Sequence, residues 1–437
     1  MRIALVTLGC PKNAVDAEKM GALLRQAGHH LVEDPTRADC VIVNTCGFIQ
    51  PAREESLATL RELAASIRPR AFLVAAGCLP ELEGERLLDE VPELDGLLGT
   101  LRWSEAPQFL RRLRHQRGLV WLGAPKTWGE ALPGPRSPSG ASAYVKIADG
   151  CSAACAFCTI PRIKGPYRSR PPEAIVEEVR GLVDAGVKEI ILIAQDTTAY
   201  GLDRGERDGL PALLERILEA VPQLPWLRLM YAFPGRVSER LIQLMATHPQ
   251  VLPYVDIPLQ HADPEVLRRM RRPADVAATR ALLERLRAAM PQVALRTTFI
   301  VGYPGETDEA FQRLLDFVRE VEFDRLGAFP FSPEPGTPAA ALPDQVPDEV
   351  KEERYRILME TQQAISLRRN RAFVGQTLDV LLEGVGEGLT LGRTYRDAPE
   401  IDGWVLIPGE GPVGEIVPAR ITGALEYDLW GELADPA

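Results

Sequence analysis

Cys151-Ser-Ala-Ala-Cys155-Ala-Phe-Cys158 sets three thiols in one short loop at the spacing C-x3-C-x2-C. A cubane iron–sulfur cluster has four irons, so three thiolates leave one iron open to another ligand. Structural zinc sites are normally closed by four ligands, and this spacing matches none of the usual zinc patterns. A zinc knuckle with a distant fourth ligand, or plain buried thiols, are the alternative readings. Around the loop, apolar runs at 144–148, 189–194, 228–231, 254–257, 295–301 and 324–329 alternate with helical stretches. Six such βα units predict an open, partial (βα)6 barrel of the TIM type, whose sites gather at the carboxyl ends of the strands.

Outward from this core the chain divides further. Residues 1–100 alternate strands at 2–8, 40–44 and 71–76 with helices near 13–27, 51–67 and 81–90, which predicts a parallel α/β domain over 1–122. The basic run Arg111-Arg-Leu-Arg-His-Gln-Arg117 reads as a solvated helix face. A Pro- and Gly-rich stretch over 123–142 reads as a linker to a barrel core over 143–374, with a helix at 348–373 leading out. Residues 375–437 hold short β-rich runs such as 377–382 and 414–421, a pattern that fits a small β-barrel of OB-like size.

The chain has 437 residues, 46% hydrophobic and 25% charged, and its length implies several domains. No apolar run approaches the ~18 residues of a membrane helix, and the first residues read as a strand rather than a signal peptide. Seven cysteines, an odd number without a secretory signal, argue against a disulfide framework and for a reducing cytoplasm. The net charge of −11 disfavours a general nucleic-acid binder. There is no P-loop, no defensible serine–histidine–acid set and no HExxH.

A second cysteine set is dispersed. Cys10, Cys46 and Cys78 each follow a predicted strand, and residues just past the carboxyl ends of neighbouring parallel strands converge in one crevice. Each is flanked by glycine (Gly9, Gly47, Gly77), expected to let the backbone approach a bulky inorganic group. The spacing therefore predicts a second three-thiolate cluster, against the alternative of ordinary core cysteines. Cys40 starts its strand, faces the opposite end and reads as a small buried hydrophobe.

The 151–158 loop, with Phe157 just before its third cysteine, resembles the signature of the radical S-adenosylmethionine (SAM) superfamily, in which the open iron chelates SAM. Two cysteine sets, a partial barrel and a terminal β-barrel together resemble the methylthiotransferases, over essentially the whole chain. The resemblance implies an auxiliary-cluster domain, a radical SAM domain and a C-terminal TRAM domain. Leu8-Gly-Cys-Pro-Lys-Asn-Ala-Val-Asp16, Tyr144-Val-Lys-Ile-Ala-Asp-Gly-Cys151 and Gly392-Arg-Thr-Tyr-Arg-Asp-Ala-Pro-Glu-Ile-Asp402 look like the branch that modifies an aspartate of the twelfth small-subunit ribosomal protein. The tRNA-modifying branch usually has Gln-Met in place of Pro11-Lys12.

That resemblance implies two 4Fe–4S clusters and two SAM molecules used for different purposes. The cluster on Cys151, Cys155 and Cys158 would bind SAM and generate the radical that removes the aspartate β-hydrogen. The cluster on Cys10, Cys46 and Cys78 would offer its open iron to a sulfur species that a second SAM methylates. An external one-electron reductant and a sulfur donor are also implied. Arg168, Gln195, Gln260 and Gly302 are the candidate SAM contacts that the resemblance implies, with His261 behind them; loop or helix caps are the structural alternative, and Asp196 and Thr307 are ordinary N-cap types. Charge bears independently on the substrate. Residues 376–437 carry twelve Asp or Glu against three Arg and no Lys, a local charge of −9. Such a module repels phosphate and suits a basic ribosomal protein, free or on the ribosome, with nucleic acid incidental. Rival readings are a tRNA adenosine methylthiotransferase and a non-catalytic iron–sulfur electron carrier.

Overall fold

The structure is a computed structural model and describes residues 1–125, 127–131, 136 and 140–434. Strand β1 (Arg2–Thr7) leads through Cys10 into helix α1 (Pro11–Gln26), which starts on a proline because the first turn needs no intrahelical amide donor. Then follow β2 (His30–Leu31), β3 (Cys40–Thr45), α2 (Gln50–Ser66), β4 (Phe72–Gly77), α3 (Cys78–Glu83), α4 (Arg86–Glu90), β5 (Gly96–Gly99), α5 (Ala106–Leu113) and β6 (Leu119–Trp121). They build one parallel sheet of order β2-β1-β3-β4-β5-β6. All six residues of β3 are buried, as a strand covered by helices on both faces requires. Each fully buried Val or Ile there contributes about 1.5–3 kcal/mol relative to exposure. The expected helix at 81–90 is instead broken at Gly84, whose φ of 65° ends α3. Arg111 and Arg112 lie on the exposed side of α5 while Leu110 and Leu113 are buried, as a solvated basic face predicts.

The second body contains β7 (Ser142–Lys146), β8 (Ala148–Asp149), α6 (Ile160–Lys164), β9 (Arg168–Ser169), α7 (Pro172–Asp184), β10 (Glu189–Ile193), α8 (Gly209–Ala220) and β11 (Trp226–Leu229). It continues with α9 (Glu239–Thr247), β12 (Tyr254–Asp256), α10 (Pro264–Arg269), α11 (Val276–Ala289), β13 (Ala294–Val301), α12 (Asp308–Val321), β14 (Arg325–Pro330) and α13 (Asp348–Arg371). All six strands expected for the partial barrel are present. β7, β10 and β11 form one parallel ribbon, β12, β13 and β14 another, and a bridge from Leu227 to Val251 joins them. Strand alternation divides the barrel cleanly: Ile190 and Leu192 pack outward under the helices, whereas Ile191 and Ile193 line the inside.

The third body, β15 (Thr377–Gly386), β16 (Leu389–Arg393), β17 (Val405–Pro408), β18 (Ile416–Ala424) and β19 (Leu429–Leu433), closes into a five-stranded barrel. Its segment 393–402 runs back into the second body. Arg393 and Arg228, both fully buried, share Glu189 at 2.6 Å each, and Tyr254 donates to Asp402 at 2.7 Å. Val15 of α1 and Ala398 of this segment pack against the same inner layer as Ile191 and Ile193. The partial barrel is thus stoppered by a flanking domain at each end.

The segment 123–142, read as a linker, is drawn inside at two points. Glu130 is 1% exposed and pairs with Lys19 at 3.2 Å and Lys146 at 2.6 Å; Arg136 bonds Glu178 and Glu18. Proline and glycine content predicted an exterior path; charges supplied by both neighbouring domains pull these two side chains in.

Candidate active site between two cysteine triads

Cys10, Cys46 and Cys78 follow β1, β3 and β4, the three central strands of the first sheet, so all three emerge at one edge. Asn13 pins this arrangement, donating to the carbonyls of Leu8 at 3.1 Å and Thr45 at 3.0 Å while its Oδ1 lies 3.6 Å from the Cys78 sulfur. Ser56 receives the Cys46 amide at 3.1 Å and donates to the Cys46 carbonyl at 2.9 Å. Burial pushes the Cys78 thiol up to about 12, and repulsion from Cys10 and Cys46 adds to it. Burial likewise raises Cys46, again with a contribution from Cys10. The three thiols are thus near enough for the charge on one to oppose ionisation of the next.

Two of the flanking glycines permit close approach of the cysteine turns. A Cβ on Gly9, where φ is +88°, would lie 2.7 Å from the Cys46 Cβ, and one on Gly47 would lie 3.1–3.2 Å from the backbone of Cys78 and Leu79. Their missing side chains let the cysteine turns pack on each other.

The second triad sits on the loop between β8 and α6. The Cys151 amide donates to the Gly165 carbonyl at 3.1 Å and the Ala156 amide to the Met270 carbonyl at 3.0 Å, fixing the loop at both ends. Phe157 packs with Ala156, Val266 and Tyr303. Burial raises the Cys158 thiol to about 12 and also raises Cys151, with repulsion from Cys155 in each case. Arg272 directs Nη1 toward the Cys155 sulfur at 3.9 Å. Cys40, by contrast, begins β3, is fully buried, and belongs to the hydrophobic core of the first sheet.

The donor chemistry of both triads fits an iron–sulfur cluster. Each offers only thiols, and among the described residues no three Cys, His, Asp or Glu side chains come close enough to hold a single metal ion. A cubane takes each thiolate on a different iron, and thiolates are its usual protein ligands. Thiols must lose their protons to ligate, so loading of either site releases protons.

A cavity of ≈ 210 Å³ adjoins Cys151, lined by Ser152, Tyr167, Asp196, Asp203 and Arg236 among others. Asp196 caps the turn that follows Gln195, accepting from the Ala199 amide at 3.1 Å, and pairs with Arg236. Gln195 is half-buried after β10. Gln260 is half-buried with a left-handed φ of 75° and bridges to Phe299. Gly302 has φ +69°, and its amide donates to Glu306 at 3.0 Å. His261 is held by Glu306 at 3.1 Å and accepts from the Asp263 amide at 2.9 Å, which makes it a structural pin. Thr307 caps α12 through the Ala310 amide at 3.2 Å. Arg168 lies on the exposed side of β9, its guanidinium 4.1 Å from the Trp128 ring centre. Asn13, Ser56, Tyr167, Arg236 and Arg272 were not singled out from sequence; only Asn13 left a signal there, three residues after Cys10.

A (βα)6 arc with an open three-thiol loop at the carboxyl ends of its strands defines the class: a radical SAM enzyme. Residues 145–318 match the Radical SAM superfamily, residues 374–434 the TRAM domain, and residues 2–99 the family described as Uncharacterized protein family UPF0004. A ribosomal protein uS12 methylthiotransferase RimO of Roseiflexus sp. (strain RS-1) is 48% identical, with 100% of this chain and 98% of that protein covered. Its counterpart in Moorella thermoacetica is 47% identical over 99% of each. The radical SAM methyltransferase TsrM from Kitasatospora setae shares the fold at a TM-score of 0.57 with 16% identity, over 89% of this chain and 80% of its own. The chain belongs to the RimO family of radical SAM methylthiotransferases. It is a transferase that works with an iron–sulfur cluster and SAM. Among the described residues no helix is long and apolar enough to cross a membrane.

Proposed function

We propose that this protein replaces a hydrogen on the β-carbon of an aspartyl residue of the cytoplasmic ribosomal protein uS12 with a methylthio group. It would use two 4Fe–4S clusters and two SAM molecules, together with an outside reductant and sulfur donor. One observation carries the reading: two three-thiol sites lie in neighbouring domains, and their loops are joined by the Thr159–Phe48 hydrogen bond at 3.1 Å. Bound there, iron–sulfur clusters and SAM supply one-electron chemistry for a C–H bond that no acid or base can readily break.

The chain's own residues divide the work. Cys151, Cys155 and Cys158 would hold the cluster that binds SAM, with Gln195, Gln260, Gly302 and Arg168 as candidate SAM contacts and the cavity beside Cys151 taking part of that molecule. Cys10, Cys46 and Cys78 would hold the cluster that carries sulfur. Val15 of the first body packs into the apolar inner layer of the barrel, joining the domain of one triad to the domain of the other.

The choice of a basic protein over tRNA is supported by the third body's surface. Asp379, Glu387, Glu400, Glu410, Glu415 and Glu432 are exposed there against Arg420 alone, because Arg393 and Arg396 are buried. Such a surface repels phosphate. The test is anaerobic reconstitution with iron and sulfide, followed by incubation with SAM, a reductant and either ribosomes or tRNA. A methylthio group on a uS12 aspartate, read by mass spectrometry, is expected. Methylthiolated adenosine in tRNA would overturn the choice of substrate.

A further inference from the structure

A second cavity of ≈ 210 Å³ lies near the amino ends of β13 and β14, away from the Cys151 loop. Its walls come from those strands, from α13 and from the third body. β14 stands at the free end of the ribbon β12-β13-β14. Gly327 of β14 shares the inner face of the barrel with Arg296, since a Cβ there would lie 3.9 Å from the Arg296 Nη2. Leu326, the residue before it, lies on the other face, in the core under the helices. Both residues line the cavity, which therefore sits on the free edge of the strand.

Hydrogen-bonding capacity in this cavity is unequal. Asp402 is fully engaged: the Tyr254 hydroxyl at 2.7 Å and the Ala398 amide at 2.9 Å donate to one oxygen, and Arg296 reaches the other at 3.3 Å. Arg296 also pairs with Asp256 at 2.9 Å. Arg325 pairs with Asp397, whose other oxygen already takes the Thr394 hydroxyl at 2.8 Å. The Arg325 side chain is 5% exposed, yet its Nε and Nη1 have no acceptor among the described residues. The acids are used and donors remain, so the cavity favours a guest that brings a hydrogen-bond acceptor. Both guanidinium groups already face carboxylates, which leaves no surplus charge to hold a phosphate.

The rim is apolar. Ile401 and Tyr427 line the cavity and are 45% and 43% exposed, with Met359 half-buried beside them. Exposed apolar side chains gathered at a cavity mark a binding place, and Tyr, Met and Arg are the residues enriched where proteins meet.

We propose that this cavity anchors the protein substrate, seating one apolar side chain against Leu326, Met359 and Tyr427 and a neighbouring backbone carbonyl on Arg325. This rests on the reading of that substrate as uS12. The exposed carboxylates of the third body, Glu400 next to Ile401 among them, attract the basic protein, and the cavity fixes its position. Binding energy gained here, remote from the reacting bond, holds the substrate chain in place while it reacts.

The test measures the Kd of uS12 for reconstituted wild-type, Gly327→Leu and Tyr427→Ala enzymes. A Cβ on Gly327 meets nothing nearer than 3.9 Å, so a leucine fits the strand and fills the cavity. Gly327→Leu should weaken binding about tenfold or more, and Tyr427→Ala about threefold to tenfold. Iron content and urea midpoints matching wild type show that each variant is folded. An unchanged Kd in folded Gly327→Leu would overturn the anchor and leave uS12 as the substrate. Should Gly327→Leu fail to fold, an unchanged Kd in Tyr427→Ala, whose ring is exposed, would overturn it equally. Wild-type enzyme that binds tRNA and not uS12 would overturn the substrate reading and the anchor together.

Discussion

The Thr159 hydroxyl donates to the carbonyl of Phe48 at 3.1 Å. Thr159 directly follows Cys158, and Phe48 lies two residues after Cys46, so one hydrogen bond ties the loops of the two triads together. Arg53 at the start of α2 reinforces the tie by pairing with Glu334 beyond β14, and the Gln50 amide donates to the same carboxylate at 2.9 Å. Two thiol sites are thereby tied through residues 111 positions apart in the chain.

Cys151→Ala, Cys155→Ala and Cys158→Ala are each expected to abolish reductive SAM cleavage. Iron should fall from about eight to about four per chain, since the other triad lies in a separate domain. Iron analysis with quantification of the cleavage product checks this, and SAM cleavage surviving in any of the three would remove the assignment of that loop.

Cys10→Ala, Cys46→Ala and Cys78→Ala should keep SAM cleavage and lose the methylthio product. Cys40→Ala should be close to silent, costing about 1 kcal/mol of core packing. A Cys40 variant that loses a cluster while the Cys78 variant retains both would reverse the reading of the strand ends.

Glu130 is the hub of the buried junction between the first two bodies. Burial alone would raise its carboxyl, but Lys146, Lys19 and Arg170 outweigh that and hold it well below the ordinary range. Glu130→Ala takes one carboxylate from each of those cations, leaving Glu178, Asp16 and Asp149 to serve them, and should destabilise the protein by about 3 kcal/mol. Chemical denaturation and limited proteolysis near residue 130 measure the loss; an unchanged midpoint would show that the junction is held by packing alone.

Glu189 predicts an acid-sensitive seal between the second and third bodies. Burial would raise it, yet Arg228 and Arg393 lower it from 4.5 to about 2. A carboxylate depressed on folding stabilises fully above its unfolded value. The contribution, on the order of 3 kcal/mol, is therefore present above about pH 4.5 and lost as pH falls toward about 2. Glu189→Gln should flatten stability across that window and cost about 3–5 kcal/mol at neutral pH, because two buried guanidinium groups lose their shared partner. Urea midpoints measured against pH in both proteins decide it.

Asp379, Glu387 and Glu410 are exposed on the closed barrel and outside its buried ion pairs. Reversing all three to lysine should weaken uS12 binding about tenfold or more while leaving iron content unchanged. Wild-type binding should decline with added salt, since exposed charges are screened over about 10 Å at 0.1 M. Salt-independent binding, or tight binding of bulk tRNA, would point away from this surface.

Local spacing settled much before any fold was visible. The 151–158 triad needs only its own loop, so its chemistry is legible in eight consecutive residues. Cys10, Cys46 and Cys78 were legible through a rule nearly as local, that residues past parallel strands converge, and Cys40 at a strand start was separated from them by the same rule. The six barrel strands and the terminal β-barrel followed from alternation of apolar runs. What stayed hidden depends on partners distant in sequence. β2, β5 and β6 are two to four residues long, too short to carry a periodic pattern. The packing of one cysteine turn on the next at Gly9 and Gly47 depends on neighbouring strands and was not visible in the sequence. The burial of Glu130 inside a proline-rich connection and the return of 393–402 into the barrel both arise because charges from separate domains meet in a dry interior. A sequence lists those charges but does not say which will be desolvated together; only the tertiary structure decides that, because the energy of an ion pair depends on its distance and on the water excluded around it.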